Sequence, residues 1–227
     1  MKKTINWIKE EFDYKFEDES LLQLALTHRS VSSYNNERLE FLGDAILGFI
    51  VTEFLFNKKN DSNEGDLTRL RSHLVQEPTL HKIAQNINLS DHLIVGAGEK
   101  KSGTKHRSSV LSDALEAFLG AMYIDGGIDH TRRVILDLYA EFLPNLPKVS
   151  ELKDAKTKLQ EILQSKNHPL PVYSLIKITG QDHQQKFFVK CQIDEGNLNV
   201  EGEGISRRIA EQDAALKMLR KYDKTNS

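Results

Sequence analysis

Between Leu111 and Met122 the chain reads Leu111-Ser112-Asp113-Ala114-Leu115-Glu116-Ala117-Phe118-Leu119-Gly120-Ala121-Met122, apolar or small at nearly every position. A helix that is apolar all round is buried. Its neighbours must therefore enclose it, and a helical body is the expected surrounding. The only charges on this segment, Asp113 and Glu116, lie one turn apart. A buried carboxylate without a partner takes up a proton rather than staying ionised, so a bound cation is one way to keep both acids charged.

A second acid set lies on Asn36-Glu37-Arg38-Leu39-Glu40-Phe41-Leu42-Gly43-Asp44. Glu37, Glu40 and Asp44 follow an i, i+3, i+7 spacing, an arc of about 60° at ~3.6 residues per turn. Like charges on one face repel unless something positive sits between them. Hard divalent cations take oxygen ligands, and four carboxylates from two helices could hold Mg2+ with waters left in its shell. Such a site can activate water and stabilise the leaving oxygen of a phosphodiester. The alternative is a pair of solvated acidic faces, or acids partnered by arginine. Arg38 points away from the acids, and the 111–122 segment carries no base.

The first acidic helix carries more than acids. Leu39, Leu42, Ile46 and Phe49 are expected as its core stripe, and Phe41, Ala45, Gly48 and Thr52 as a second strip that needs a second partner, such as another subunit. Gly43 in mid-helix costs ~1 kcal/mol relative to alanine, so close packing is expected there. The other chemical motifs are missing. There is no His-Glu-x-x-His, Gly96 to Gly103 lacks P-loop spacing, and the single cysteine, Cys191, excludes an internal disulfide and a cysteine zinc site.

The first 143 residues read as successive helices: one capped by Ser20, the acidic helix from Asn36 to about Phe56, others on each side of a break near Pro78, one from Ser108 or Ser109 to Asp125-Gly126-Gly127, and a last one from about Asp129 to Phe142. Gly96 to Gly103 is expected to be a loop. The prolines at 144 and 147 mark a linker. The pattern then becomes α-β-β-β-α: a helix from Asp154 to Lys166, strands Val172–Thr179, Gln185–Ile193 and Leu198–Gly204, and a helix capped by Ser206 and running to about Lys221. Formal charge is −2 overall, with +2 over residues 151–227 and −4 before them. No apolar run approaches the ~20 residues of a membrane span, and the N-terminus does not read as a signal peptide. A cytoplasmic protein is the expectation.

With these residues in view, the nine-residue run from Asn36 to Asp44 resembles the signature of the ribonuclease III family. Glu64-Gly65-Asp66-Leu67 and Ser112-Asp113-Ala114-Leu115-Glu116-Ala117 resemble its two other acidic motifs, in the same order. The resemblance implies an all-α endonuclease domain over residues 1–147, a linker over 148–153 and a homodimer that cuts double-stranded RNA. It implies Glu40, Asp44, Asp113 and Glu116 as Mg2+ ligands, with Mn2+ as a substitute, and Asp44 and Glu116 as catalytic. Glu37 and Glu64 become accessory acids, and Phe41 lies at the dimer interface. Lys100, Lys101, Lys105, His106 and Arg107 would lie near the RNA backbone. The products carry 5'-phosphate and 3'-hydroxyl ends with short 3' overhangs, and substrates include ribosomal RNA precursors and structured messenger RNA. The rival readings are a binding-only protein with a decayed nuclease domain and a small-molecule phosphohydrolase.

Residues 154–223 resemble a small α+β domain, the double-stranded-RNA-binding domain. Thr157, Gln160 and Glu161 match positions that meet one minor groove. The turn Gly180-Gln181-Asp182-His183 matches the loop that enters the next, with His183 as a contact. Ser206, Arg207 and Arg208 match the basic motif that grips phosphates. A-form RNA hides its base edges, so recognition by shape, phosphate and 2'-hydroxyl is expected. Glu211 stands where many such domains have lysine, and Lys186 or Lys217 would supply the remaining positive contact.

Overall fold

The computed structural model describes residues 2–101, 103–181, 184–193 and 198–225. The chain divides into two compact units, Met1–Pro147 and Lys148–Ser227.

The first unit is built from α1 (Lys2–Phe12), α2 (Glu19–Ala25), α3 (Glu37–Lys58), α4 (Glu64–Val75), α5 (Glu77–Asn86), α6 (Ala97–Lys101) and α7 (Ser108–Leu138). Between Val110 and Met122 of α7 only Asp113 and Glu116 are not buried, as the apolar composition requires. Helices α2, α3 and α5 pack on it. Pairing outside helices is limited, among the described residues, to one isolated parallel bridge between Thr27 and Ile94.

The α3–α7 contact is a backbone contact. A Cβ on Gly43 would fall 1.7 Å from the Glu116 carbonyl oxygen, and one on Gly120 would fall 2.2 Å from that of Leu39. The two glycines thus face each other across the crossing, and the close packing expected at Gly43 is present. The core stripe differs from expectation. Leu39, Gly43, Leu47, Ile50, Val51 and Leu55 face the core, whereas Leu42 and Ile46 are half-buried and Phe49 is exposed. A helix with two apolar faces does not declare by hydrophobicity which one meets its own subunit, and the contact point here is a residue with no side chain.

Helix ends are set by residues near, but not always at, the expected positions. Asp18 rather than Ser20 caps α2, its carboxylate accepting from the Ser20 amide at 2.9 Å. Asp reaches its own second following amide readily, and Ser20 adds its hydroxyl to the same carboxylate. The stretch expected as a loop from Gly96 holds the short α6. The two helices expected to meet around residue 127 do so within α7: the backbone leaves helical angles at Gly127, where φ is +76°, a value glycine adopts without steric cost. Asp125 beside it accepts from the Tyr14 hydroxyl at 2.5 Å and from the Glu17 and Asp18 amides at 3.1 and 2.9 Å. That carboxylate fastens the segment after α1 to α7.

The second unit contains α8 (Val149–Leu152), α9 (Ala155–Ser165), β1 (Val172–Thr179), β2 (Lys186–Ile193), β3 (Leu198–Gly204) and α10 (Arg207–Thr225). The strands form one antiparallel sheet in the order β1-β2-β3. Leu159 and Leu163 of α9, Cys191 and Ile193 of β2, and Ala214, Ala215 and Met218 of α10 close the core. The expected linker holds the single turn α8, which buries no residue. Asp154 caps α9 through the Thr157 amide at 2.9 Å.

We expect Gly120→Ala to lower unfolding stability by about 1–3 kcal/mol or more, the range for overpacking, because the new methyl meets backbone that cannot rotate aside. Urea unfolding measures this, and an unchanged midpoint would mean that the helices separate freely at this crossing.

Candidate metal centre and nucleic-acid face

The α3–α7 crossing brings acids from the two helices together. Glu40, Asp113 and Glu116 each offer a carboxylate oxygen within 4.8 Å of the others. Burial first, and then the charges of Asp44, Glu40 and Asp113, push the Glu116 carboxyl up to about 8. Glu40 is raised by burial and then by Asp113 and Glu37, with Arg29 opposing. Asp113 is raised by burial and then by Glu77, with Arg29 and His28 opposing. Three half-buried carboxylates that all resist ionisation form an all-oxygen donor set short of positive charge. That set fits a hard divalent cation.

The remaining predicted acids lie around this trio or away from it. Asp44 is exposed and outside the 4.8 Å set, although its charge acts on Glu116. Glu37 is exposed and faces Arg29 at 3.9 Å. Glu64 opens α4 and accepts from the Thr68 hydroxyl at 3.0 Å. It lines a cavity of about 360 Å3 with Thr52, Phe56 and Arg71. Phe56 lies sixteen residues beyond Glu40 on α3, or about 24 Å at ~1.5 Å per residue. Within one chain Glu64 therefore does not join the trio.

Sequence reasoning missed two charged neighbours. Arg29, between α2 and α3, is a cation whose field reaches Glu40 and Asp113. Glu77, at the start of α5, holds the Ser108 hydroxyl and adds negative charge beside Asp113. Neither lies on the acidic helices, so helical spacing carried no sign of them. Arg29 also lines a polar cavity of about 590 Å3 with His28, Ser30, Glu37 and Arg107. Arg107 is the member of the expected basic loop that lines this cavity.

Helix α3 shows a further face. Phe41, Phe49 and Phe56 are 81%, 53% and 69% exposed, and Ala45 and Thr52 between them are exposed too. The spacing places all five on one apolar strip.

In the second unit Gln160 and Glu161 are exposed on α9 and Thr157 is half-buried. Glu161 pairs with Lys153 at 2.6 Å. His183 lies outside the described residues. Ser206 accepts from the Ile209 amide at 3.3 Å, and Arg207 and Arg208 are exposed at the start of α10. Glu211 binds Arg207 at 3.0 Å and Lys156 at 2.6 Å. Burial pushes its carboxyl up, but these two cations more than offset that and hold it below the usual range. Lys186 and Lys217, the expected extra contacts, face Glu203 at 3.0 Å and Asp213 at 2.7 Å.

Comparison with known proteins agrees with this architecture. A ribonuclease-III-like family model matches residues 18–143, and a double-stranded RNA binding motif matches residues 155–222. Ribonuclease 3 of Marinomonas sp. is 49% identical over 211 residues, 93% of each chain, and that of Alkalilimnicola ehrlichii is 46% identical over 216 residues, 95% of each. The nuclease domain of ribonuclease III from Campylobacter jejuni superposes with a TM-score of 0.60 at 44% identity, covering 62% of this chain and 99% of that one. A helical domain with an acid trio, followed by a duplex-binding domain, defines an endonuclease of double-stranded RNA. The chain belongs to the ribonuclease III family.

Glu116 supplies a pH test. Its carboxyl rises from an ordinary 4.5 to about 8 on folding, so the metal-free folded state holds a proton that the unfolded chain releases. That contribution to stability is full below pH 4.5 and is lost as pH rises through about 8. In EDTA the melting temperature should fall across this window, and Glu116→Gln should flatten the fall. An equal slope in the variant would assign the proton to another group.

Proposed function

We propose that Glu40, Asp44, Asp113 and Glu116 hold Mg2+, with Mn2+ as a substitute, and that the enzyme hydrolyses duplex RNA to 5'-phosphate and 3'-hydroxyl ends with short 3' overhangs. The observation that supports this reading best is the trio of mutually close carboxylates with raised affinities for protons. When bound, the cation polarises a water and a phosphoryl oxygen. The residues do the rest. Glu116 would hold the cation as a carboxylate, releasing the proton that its raised affinity favours in the metal-free protein. Asp44, exposed beside the trio, would complete the ligand set. Arg29 supplies positive charge facing the acids, where an RNA phosphate would otherwise meet only like charge. Glu37, paired with Arg29, and Glu64 are the accessory acids.

The domain bounds we adopt are 1–147 for the nuclease, 148–153 for the connection and 154–223 for duplex binding. Thr157, Gln160, Glu161 and His183 meet minor grooves, and Ser206, Arg207 and Arg208 meet phosphate, where the N-terminus of α10 adds favourable dipole charge. The strip through Phe41, Phe49 and Phe56 is the homodimer face, in keeping with the Campylobacter jejuni nuclease domain, which has a region involved in dimer formation. Burying three phenylalanines removes an apolar cost of exposure that a single chain retains. Ribosomal RNA precursors and structured messenger RNA in the cytoplasm are the proposed substrates.

A long RNA duplex incubated with the enzyme should shorten to discrete pieces in Mg2+ and stay intact in EDTA. Glu116→Gln should bind the duplex with unchanged affinity and cut it at least about a hundredfold more slowly, the order seen when a transition-state electrostatic partner is lost. Cutting by the variant at the parental rate would remove the metal assignment. Phe41→Glu should sediment as a monomer at micromolar concentration, and a dimer that persists would place the interface on another surface.

A further inference from the structure

We propose that Glu211 acts as an internal competitor for RNA phosphate. Its carboxylate occupies Arg207 in the free protein, and the duplex takes Arg207 by displacing it. This rests on the duplex-binding part of the function above and not on the metal or the cleavage step.

The geometry is a three-residue clasp across two elements. Glu211 lies one turn after Arg207 on α10, and its side chain is only 14% exposed, whereas that of Arg207 is 60% exposed. Its other oxygen meets Lys156 of α9 at 2.6 Å, and Lys156 itself lies 4.5 Å over the Tyr173 ring. The carboxylate and Lys156 are thus the fixed inner part, and the guanidinium is the outer, movable part. Arg207 engages Glu211 through Nε at 3.0 Å. An incoming phosphate and this carboxylate are both oxyanions and compete for the same fork of donors. Lys156 keeps Glu211 paired once Arg207 leaves, so release does not strand a buried charge.

Arg208 is the internal control. It sits beside Arg207, is exposed, and among the described residues has no acid partner. The two arginines of one motif are therefore unequal: Arg208 is available to phosphate at once, and Arg207 only by exchange. Exchange of one anion for another releases fewer counterions than binding to a free cation, so the salt dependence is shallower than two arginines would give.

The test is fluorescence anisotropy of a labelled RNA duplex with the full chain in EDTA, over a range of KCl concentrations. Glu211→Gln keeps the side-chain volume and an oxygen acceptor. It should tighten binding roughly two- to fivefold, as expected for release from one ion pair, and steepen the log K against log[salt] slope by about one ion. Arg207→Gln should cost less affinity in the native background than in the Glu211→Gln background. Unchanged slope with equal Arg207→Gln losses would make the clasp scaffolding alone, and weaker binding by Glu211→Gln would mean that the carboxylate presents Arg207 to the RNA. Either result overturns the proposal. If thermal melting shows Glu211→Gln unfolded, the two exposed arginines still decide. Arg208→Gln should lose more affinity than Arg207→Gln, and an equal or larger loss from Arg207→Gln overturns the competition.

Discussion

Helices α3 and α7 touch backbone to backbone at Gly43 and Gly120, where neither residue has a Cβ to hold them apart. Everything chemical in the first unit depends on that approach. Glu40 lies one turn before Gly43, and Glu116 one turn before Gly120. Bringing the glycines together carries the two carboxylates into one another's field, with Asp113 a further turn back on α7. A wider crossing, with ordinary side chains between the helices, would leave each acid on its own solvated face. The helix interior gives up intrinsic propensity at two glycines and gains a site where charge is concentrated.

The two units treat carboxylates in opposite ways. In the first, Glu116 is pushed up to about 8 by burial and then by the acids that crowd it. In the second, Glu211 is pressed between two cations and held below the usual range although burial opposes this. The difference is a matter of neighbours and not of residue type. Acids among acids store an affinity for positive charge from outside the chain. Acids among cations consume positive charge that the chain already has. The small net positive charge of the second unit thus conceals arginines of unequal availability.

Much of this was readable in the sequence, and the failures have physical causes. Strands β1 and β3 fall on the expected residues because turn chemistry brackets alternating runs. Of the four acids expected to converge, Glu40, Asp113 and Glu116 do and Asp44 lies outside the set; charges on an otherwise apolar helix have few innocent explanations. The core stripe of α3 was misread because Phe49 and Leu47 look alike as hydrophobes, and only the position of the facing helix tells them apart. Arg29 was missed because loops bring residues to a site without periodicity. Glu64, expected as an outer acid, stands at the far end of α3 from the trio, a distance that motif order along a chain does not give. Ser20 lost the cap of α2 to Asp18 because both residue types cap well and the choice lies in the backbone angle of one residue.

The carboxylate of Asp125 has a consequence for how the chain comes to be folded. It ties Tyr14, Glu17 and Asp18 to a residue more than a hundred positions later. The core face of α3 likewise waits for α7. Such closures come late on a growing chain, because the partner must first be synthesised. Helix α3 can meet α4 early, but the faces of α2 and α3 that pack on α7 stay uncovered until α7 is out. The second unit pairs its strands in sequence order, with short connections, and can close soon after its last helix appears. Synthesis thus exposes the nuclease unit longest, and its early helices are where a chaperone would find an unfinished chain.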